Sequence, residues 1–374
     1  MITVKEVKTK KEQREFVRFP LRLYKGNKYY VPMLYGGEFD IFKPVFPFNK
    51  ICDTICFLAR RDGEVVGRIH GIIQHDANKK WGQKQVRFTR FDSVDDREVS
   101  DALFEAVEKW AARFGMKEFV GPLGFCDFER EGLLIEGFEE PQTYEEQYNY
   151  PYYQKLIEGY GFDKDVDWLE FQLSASEETE DKLFKLSNKL LDRFGLTAIQ
   201  AKSIPELIDK YVYDLLRIIE DAYSGLYGTV PLNKETIEYY IKDFRTLVRP
   251  QDVITLYDKD NRIVAGGMMF PSISDAVRLS QGHITPAFLL RFLRDKKHPK
   301  VMDLGLIGVA PEYESKGIVA IVIGILIDRL RHGGVEHMET NLILEDNLKM
   351  QNLLKHFNKR QNKRRRCFKK RIEK

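Results

Sequence analysis

The segment 301–347 constrains the possible fold of this chain more than any other stretch. It opens with an apolar run, 301–309, that is interrupted only by Asp303 and by glycines, a pattern typical of a strand buried on both faces. Pro311 ends this strand because proline cannot donate to a hydrogen-bond ladder. A short polar loop follows and ends at Gly317. The sequence therefore predicts a buried strand that runs into a tight loop.

A helix and a second strand complete the segment. Apolar residues recur at helical spacing from Ile318 to Leu330, and Gly333 and Gly334 end that helix. A second β-rich run, 335–344, follows and gives way to polar residues. The predicted order is strand, loop, helix, strand.

The loop before the helix has the features of an anion site. Backbone N–H groups in the first turn of a helix lack internal partners, and the helix dipole adds partial positive charge there. A pyrophosphate can accept hydrogen bonds from those groups, while Gly317 lets the backbone approach closely and Lys316 adds a positive charge. The pattern alone is equally compatible with an ordinary strand–loop–helix unit that has a glycine at its junction.

These residues resemble the acetyl-CoA-binding core of the GNAT acyltransferases. That family has Val-x-Pro-x-Tyr at the end of a strand and then Gln/Arg-x-x-Gly-x-Gly/Ala. This chain has VAPEY at 309–313 and ESKGIV at 314–319. Gly317 matches the central glycine of the signature, whereas Glu314 replaces Gln/Arg and Val319 replaces Gly/Ala.

The resemblance implies a set of cofactor-binding residues. Downstream of the loop, Asn347 and Met350 are similar to the family's Asn-x-x-Ala segment, which lies beside the pantetheine arm. The resemblance thus implies that acetyl-CoA or another acyl-CoA contacts the strand end, the loop and this segment, namely Ile307, Gly308, Val309, Ser315, Lys316, Gly317, Ile318, Val319, Asn347 and Met350.

The chain as a whole resembles a group of long bacterial proteins with two GNAT-like halves. The matching pieces run across nearly all 374 residues, at 19–20, 29–34 (YYVPML), 62–69 (DGEVVGRI), 121–122, 131–138 (EGLLIEGF), 148–153 (YNYPYY), 228–232 (GTVPL) and 344–347 (LEDN). The resemblance implies an α/β (α+β) protein with two tandem GNAT-like domains, each a mixed, largely antiparallel twisted sheet flanked by helices. We predict domains at 1–173 and 196–374, joined by a helical connector at 174–195.

The first half repeats the order hairpin, strand, helix, strand but differs in the loop before the helix. Asp62 and Gly63 predict the turn of the hairpin. The loop at 92–97 (DSVDDR) contains three carboxylates and no glycine, and acidic side chains repel a pyrophosphate. We therefore predict that any CoA-type ligand binds only in the second half, and that 1–173 is a degenerate GNAT-like domain.

Two further features of the first half concern its N-terminal region. Apolar spacing predicts a helix over 10–24, which Pro20 is expected to interrupt. An aromatic, proline-containing loop follows, with Tyr29, Tyr30 and the segment 46–48. Such a loop either borders a substrate pocket or packs on the core.

The candidate catalytic residues follow from the chemistry of acyl transfer. An amine must lose a proton to attack a thioester, and the resulting oxyanion must be stabilised. Asp303 lies eleven positions before Glu314, where some GNAT enzymes place a basic carboxylate, so the resemblance makes it a candidate base; a structural carboxylate is the alternative. In many enzymes of this family a tyrosine acts as the general acid, and its position here is Leu354. The role of general acid is therefore unfilled or taken by another residue.

The acceptor side is predicted only by resemblance. In GNAT folds the first helix–loop–helix region walls the acceptor site, which makes Tyr223, Tyr227 and Pro231 candidate pocket residues. We expect a small-molecule amine or a peptide as the acceptor, and the sequence does not indicate an oligomeric state.

Composition excludes several other classes of function. The four cysteines form no CxxC pair and no Cys/His cluster, which favours a cytoplasmic protein with reduced thiols and no metal site. No apolar run approaches the eighteen residues of a membrane span, so we expect no membrane partner. The tail 359–374 holds ten Lys/Arg and one Glu, but Phe368 is the one aromatic residue interleaved there, which disfavours nucleic acid. This tail resembles the last strand of the fold instead.

The leading prediction is an acyl-CoA-dependent N-acyltransferase that transfers an acetyl group from acetyl-CoA to an amine. The alternative is a non-catalytic GNAT-like binding or scaffold protein. The altered loop, the leucine at position 354 and the degenerate first half favour that alternative.

Overall fold

Strands and helices alternate along the chain in this computed structural model, which describes residues 1–175 and 177–372. The first elements are β1 (Ile2–Glu6), α1 (Lys10–Leu23), β2 (Cys52–Arg61), β3 (Glu64–Gln74), α2 (His75–Trp81), β4 (Gln85–Ser93), α3 (Arg97–Ala112), β5 (Glu118–Gly121), β6 (Leu133–Glu136), α4 (Tyr152–Gly159) and β7 (Asp163–Ser174). The later elements are α5 (Glu177–Phe194), β8 (Thr197–Ile199), α6 (Ile204–Leu207), α7 (Tyr213–Tyr223), α8 (Lys234–Leu247), β9 (Val253–Tyr257), β10 (Ile263–Pro271), α9 (Ser274–Leu279), α10 (Pro286–Lys297), β11 (Val301–Val309), α11 (Val319–His332), β12 (His337–Glu339), β13 (Ile343–Leu344), α12 (Leu348–Leu353) and β14 (Asn358–Arg371).

Contacts between residues divide the chain into two units. Unit 1 comprises Met1–Leu169, Ser274–Leu289 and Lys363–Lys374, and unit 2 comprises Glu170–Ile273 and Leu290–Asn362. The division at 173 and 195 came from the repeat in the sequence rather than from contacts, and it stays a prediction.

Unit 1 contains a sheet in the order β1-β2-β3-β4-β5-β14. Neighbouring strands are antiparallel except β4 and β5, which run parallel over three residue pairs, from Gln85↔Glu118 to Arg87↔Val120. The turn between β2 and β3 is formed by Asp62 and Gly63, both with positive φ, as the sequence predicted.

The core of unit 1 is rich in aromatic residues. Helix α3 buries Leu103, Phe104 and Val107 against the sheet. The aromatic loop packs on this unit rather than bordering open space, since Tyr30 stacks on Tyr24 at 4.3 Å between ring centroids. Its other members, Phe46 and Phe48, are likewise buried and contact Phe125.

Helix α1 continues through Pro20, which corrects the prediction that proline would interrupt it. A capping box between Thr9 and Glu12 fixes the start of the helix. Proline removes the N–H that would bond the carbonyl four residues earlier. In this chain that carbonyl belongs to Phe16, and Arg68 donates to it at 3.0 Å. The helix therefore loses a backbone hydrogen bond without leaving a buried acceptor unsatisfied.

Arginines of the basic C-terminal strand β14 pair with buried polar residues of unit 1. Arg366 donates to the buried Asp167 at 2.7 Å, and Arg364 contacts the same carboxylate at 3.1 Å. Arg365 is fully buried and donates to Gln142 at 2.7 Å. Because these cations have internal partners, the tail acts as a structural strand, which is the role that the resemblance implied.

Unit 2 contains a sheet in the order β7-β12-β11-β10-β9-β8, in which β7 contributes its residues from 170 onward. Its strands are antiparallel except β11 and β12, which run parallel over three residue pairs, from Val301↔His337 to Asp303↔Glu339. Each unit thus has one short parallel pair within a largely antiparallel sheet flanked by helices, and the predicted fold class is confirmed.

Helices cover both faces of the sheet in unit 2. A Cβ atom at Gly266 would lie 2.5 Å from Leu215 of α7, and one at Gly267 would lie 2.8 Å from Val322 of α11. These two glycines of β10 therefore allow close approach of a helix on each face. Helix α5, which was expected to be a connector, packs on α11, where Ser187 Oγ donates to the carbonyl of Ala320 at 3.3 Å.

The predicted strand 335–344 consists of two short strands, β12 and β13. The chain leaves β11 after Glu339 because Thr340 exchanges hydrogen bonds with Phe171. The Thr340 N–H donates to the Phe171 carbonyl, and the Phe171 N–H donates to Thr340 Oγ1, each at 2.9 Å. Pairing along the whole predicted length is therefore replaced by a turn away from β11.

Candidate functional site

One edge of β11 opens beyond its third residue. Among the described residues, β12 pairs with β11 only from Val301 to Asp303, while β10 follows β11 as far as Val309. Between Leu304 and Ile307, β11 has two residues opposite a single residue of β10, which is a β-bulge. The open edge presents backbone donors and acceptors that an extended ligand with amide groups could pair with.

The helix that follows has an open N-terminus. A 3-10 turn over Pro311–Lys316 leads to Gly317, which has φ of 72°, a left-handed conformation that favours glycine. Within residues 1–175 and 177–372, no side chain caps the first turn of α11, and a Cβ atom at Gly317 would meet no atom within 4 Å. The Ala320 and Ile321 N–H groups donate to the carbonyls of Gly317 and Ile318, and the remaining N–H groups of this turn, beside the open space at Gly317, have the geometry of an anion site.

One of the two departures from the family signature, Glu314, has a charged partner in the structure. Glu314, which stands where the family has Gln or Arg, forms a salt bridge with Lys349 at 3.2 Å. This pairing offsets the negative charge that Glu314 brings to the loop. The Lys316 ammonium lies 4.2 Å from the centroid of the Tyr313 ring, so the aromatic ring holds this cation beside Gly317.

The ten predicted cofactor residues lie in three segments, 307–309, 315–319 and 347–350. Several of them can offer only backbone groups to a ligand. Gly308 faces α7, since a Cβ atom there would lie 3.0 Å from Ile218. Ile318 is fully buried, and Asn347 caps α12 by accepting from the Met350 N–H at 3.0 Å. Ser315 and Lys316 are exposed. The side chain of Asn347 therefore has a structural role, and its place beside a pantetheine arm stays a prediction.

Asp303 lies beside a second buried carboxylate that the sequence analysis missed. It is 2% exposed and in register with Glu339 of β12, which is 6% exposed. Glu339 accepts from the amide of Asn362 at 2.7 Å and from that of Gln172 at 3.2 Å. Residues in register on neighbouring strands share a face of the sheet. Asp303 also pairs in register with Phe270, which packs on the cluster around α7, so both carboxylates belong to that face.

Tyr223 connects the predicted acceptor region to the predicted cofactor strand. It ends α7, and its hydroxyl lies 3.4 Å from the backbone nitrogen of Ile307. Burial raises the pKa of Tyr223, so the phenol stays protonated at neutral pH. Tyr227 and Pro231 lie on the segment between α7 and α8, and Pro231 is exposed. Leu354, at the position where the family has a tyrosine as general acid, is fully buried.

In unit 1, the helix start and the strand edge that correspond to the candidate site are occupied by residues of the same unit. Asp96 caps α3 by accepting from the Glu98 N–H at 2.8 Å, and it also pairs with Arg61. Beyond the parallel pairs of β4 and β5, the Leu123 N–H donates to the carbonyl of Phe88 at 2.8 Å and occupies part of that edge. An anion would meet a carboxylate at this helix start, in contrast to the start of α11.

Two broader searches of the described residues also bear on the site. No group of three or more His, Cys, Asp or Glu side chains there is placed to hold a metal ion. No helix in the described part of the chain has the length and apolar character that crossing a membrane requires.

Two curated proteins are similar to this chain in sequence. Protein YghO of Escherichia coli (strain K12) is 26% identical over 370 residues, which cover 97% of this chain and 94% of that protein. The bacterial ceramide synthase of Caulobacter vibrioides is 25% identical over 320 residues, which cover 84% of this chain and 82% of that protein. No family model matches the chain.

Solved structures of GNAT proteins match the fold. A tandem GNAT protein from the clavulanic acid biosynthesis pathway gives a TM-score of 0.57 at 10% identity and covers 100% of this chain and 99% of its own. A probable N-acyltransferase from Enterococcus faecalis gives 0.52 at 10% identity, with 100% and 73% covered. A GCN5-related N-acetyltransferase from Sphaerobacter thermophilus gives 0.50 at 11% identity, with 100% and 96% covered. The chain has the fold of the tandem GNAT proteins.

Proposed function

We propose that this chain is an acyl-CoA-dependent N-acyltransferase whose cofactor site lies in unit 2. The observation that carries the proposal is the open, bulged edge of β11 next to the uncapped N-terminus of α11. A CoA thioester has amide groups along its arm and a pyrophosphate at its far end. These two structural features offer complementary partners for the two parts of such a molecule.

The residues that would hold acyl-CoA follow from this geometry. The backbone of β11 from Leu304 to Val309 would pair with the amides of the arm, and the first turn of α11 would receive the pyrophosphate. Lys316 would add a positive charge beside it. Bound there, the thioester supplies an activated acyl group, and acetyl-CoA is the simplest such donor.

Two side chains on the α7 side of the sheet would act as the general base and the general acid. Asp303 would accept a proton from the acceptor amine, with Glu339 beside it in register. Tyr223 would donate a proton to the departing thiolate, because its raised pKa keeps the hydroxyl protonated and its oxygen lies beside Ile307 of β11. This assignment fills the role that Leu354 leaves open.

The similarity to a ceramide synthase suggests a class of acceptor. A ceramide is the amide of a fatty acid and a long-chain amino alcohol. Similarity over 84% of this chain supports a long-chain amine as the acceptor and a long acyl chain on the donor. A small polar amine or a peptide with acetyl-CoA is the other acceptor class to compare.

The proposal is tested by calorimetric titration followed by an assay of turnover. Acetyl-CoA and a long-chain acyl-CoA would each be titrated into the full chain, and the better ligand would then be incubated with long-chain amines, polyamines and peptides. We expect saturable one-site binding and release of free CoA that depends on an amine. Binding without turnover across the panel would favour the non-catalytic alternative, and no binding of either thioester would reject the proposal.

Replacement of Tyr223 by Phe is expected to lower kcat by about 10-fold to 10²-fold. General acid–base catalysis contributes about 10²–10⁴-fold, and a thiolate leaves readily, so we expect a loss at or below the lower limit of that range. Tyr213→Phe is the matched control, because Tyr213 begins the same helix and is 46% exposed. Steady-state assays of both variants provide the measurement. Equal activity of Tyr223→Phe and Tyr213→Phe would remove Tyr223 from the mechanism.

A further inference from the structure

Helix α10 carries an outward row of large apolar side chains. Leu289, Leu290 and Leu293 are 47%, 72% and 60% exposed, and Ile284, just before the helix, is 66% exposed. Helical spacing places positions 289, 290 and 293 on one face, since residues three and four apart are neighbours. Exposed apolar groups that adjoin one another, rather than being scattered singly, indicate an interaction surface.

The same face is flanked by positive charge. Arg294 and Lys297 lie in the last turn of α10 and are exposed. From 284 to 300 the chain has five Lys/Arg and one Asp, so the segment is strongly basic. Asp295, the acidic residue, pairs with Arg294 at 2.8 Å. A row of leucines bordered by lysine and arginine is the composition of a helix that lies in a membrane interface.

The inner side of α10 anchors the helix in a fixed orientation. Thr285 caps its start by accepting from the Phe288 N–H at 3.1 Å, and Phe288 is 5% exposed. Near its end, Lys296 donates to the carbonyl of Thr246 at 2.5 Å, and Arg249 donates to the carbonyl of Lys296 at 3.3 Å. With its inner side occupied in this way, the helix presents its leucines outward.

A basic cavity in unit 2 adjoins the end of α10. It has a volume of about 640 Å³, and its basic lining residues are Arg249, Lys297, His298, Lys300, Arg329 and His332. Its acidic lining residues already have partners, because Asp252 pairs with Arg249 at 2.5 Å and Asp328 with His332 at 3.0 Å. Lys300 also pairs with Glu336 at 2.9 Å, and Lys297, which belongs to both α10 and the lining, extends the positive charge of the helix to the cavity.

We propose that α10 docks this protein on the surface of an anionic phospholipid bilayer. The leucines insert among the acyl chains, while Arg294 and Lys297 lie among the headgroups, and the adjoining cavity accepts a lipid phosphate. With twelve residues the helix is too short to span a bilayer, so it lies in the plane of the interface. The expectation of no membrane partner considered only spanning segments, and this proposal departs from it.

Membrane docking is independent of the proposed acyl transfer, because it requires neither acyl-CoA nor turnover. If both hold, docking would place the protein where long-chain amines and their products reside. If acyl transfer fails, the protein would bind no thioester or would bind it without turnover, and it would still bind vesicles.

The test is sedimentation with lipid vesicles at low salt and at 0.5 M NaCl. Vesicles of phosphatidylcholine with equal phosphatidylglycerol are compared with vesicles of phosphatidylcholine alone. We expect at least tenfold tighter binding to the anionic vesicles, and a clear loss of that binding at high salt. The double variant Leu290→Asp with Leu293→Asp should lose at least tenfold in affinity, and Lys297→Gln should weaken only the preference for anionic lipid.

The control variant is Val45→Asp, which introduces one Asp at another exposed apolar residue, 85% exposed, outside α10. It should bind vesicles as the unaltered chain does. Thermal melting checks that the α10 variants remain folded. Equal vesicle binding by the double α10 variant and the control would overturn the proposal. So would dimerisation without lipid that the α10 substitutions abolish, because the face would then belong to a second copy of the chain.

Discussion

Replacing Asp303 by Asn is expected to lower kcat by about 10²–10⁴-fold, the usual contribution of general acid–base catalysis. The substitution keeps the size and shape of the side chain while removing its ability to accept a proton. Asp303 is buried in a strand whose other residues are apolar or glycine, in register with the buried carboxylate of Glu339. Because the substitution leaves the backbone groups of β11 and the start of α11 unchanged, acyl-CoA affinity should change by less than about threefold.

The comparison that interprets this result is Glu339→Gln. Glu339 is in register with Asp303 and already accepts hydrogen bonds from Asn362 and Gln172, which is typical of a supporting carboxylate. We expect Glu339→Gln to reduce kcat less than Asp303→Asn does. Turnover by Asp303→Asn within twofold of the unaltered chain would reject Asp303 as the base. A larger loss in Glu339→Gln would move the role to the neighbouring strand.

Replacing Gly317 by Asp should reduce acyl-CoA affinity by about 100-fold or more. At about 5 Å and an effective dielectric constant of about 20, two like charges repel by about 3 kcal/mol, which corresponds to about 100-fold in binding. Among the described residues no atom lies within 4 Å of a Cβ atom built at Gly317, so the start of the new side chain causes no clash. Calorimetric titration of the variant with the preferred thioester gives the measurement.

The matched control is Gly317→Asn, which adds a side chain of the same size without charge. Asn is one of the residues that tolerates the left-handed conformation seen at Gly317, so both variants experience a similar backbone cost. We expect the Asn variant to retain most of the affinity. If the two variants bind equally well, or if Asp leaves affinity unchanged, the start of α11 does not hold the pyrophosphate.

These two experiments also separate the catalytic from the non-catalytic alternative. A GNAT-like binding protein would lose affinity with Gly317→Asp and would show no turnover for Asp303→Asn to reduce. The pairing of Glu314 with Lys349 bears on this choice, because it offsets the charge of one altered signature position. The altered loop is therefore weaker support for the alternative than the sequence implied.

Local signals determined the central segment of this protein well. The strand predicted at 301–309 has those same bounds as β11, because an apolar run followed by proline ends a strand whatever surrounds it. The turn at Asp62 and Gly63, the cap at Asp96 and the helix that begins after Gly317 are also local, since each depends on the backbone preferences of a few adjacent residues.

Only the tertiary structure decided which distant residues meet. The bulge in β11, the register that places Glu339 beside Asp303 and the contact of Tyr223 with Ile307 all depend on pairing between separate segments, which sequence spacing does not encode. The passage of α1 through Pro20 likewise required Arg68, which is distant in sequence. Helix α10 shows the same limit, because its apolar residues suit either a buried or an exposed face. Packing of its inner side against the protein turned three leucines toward solvent.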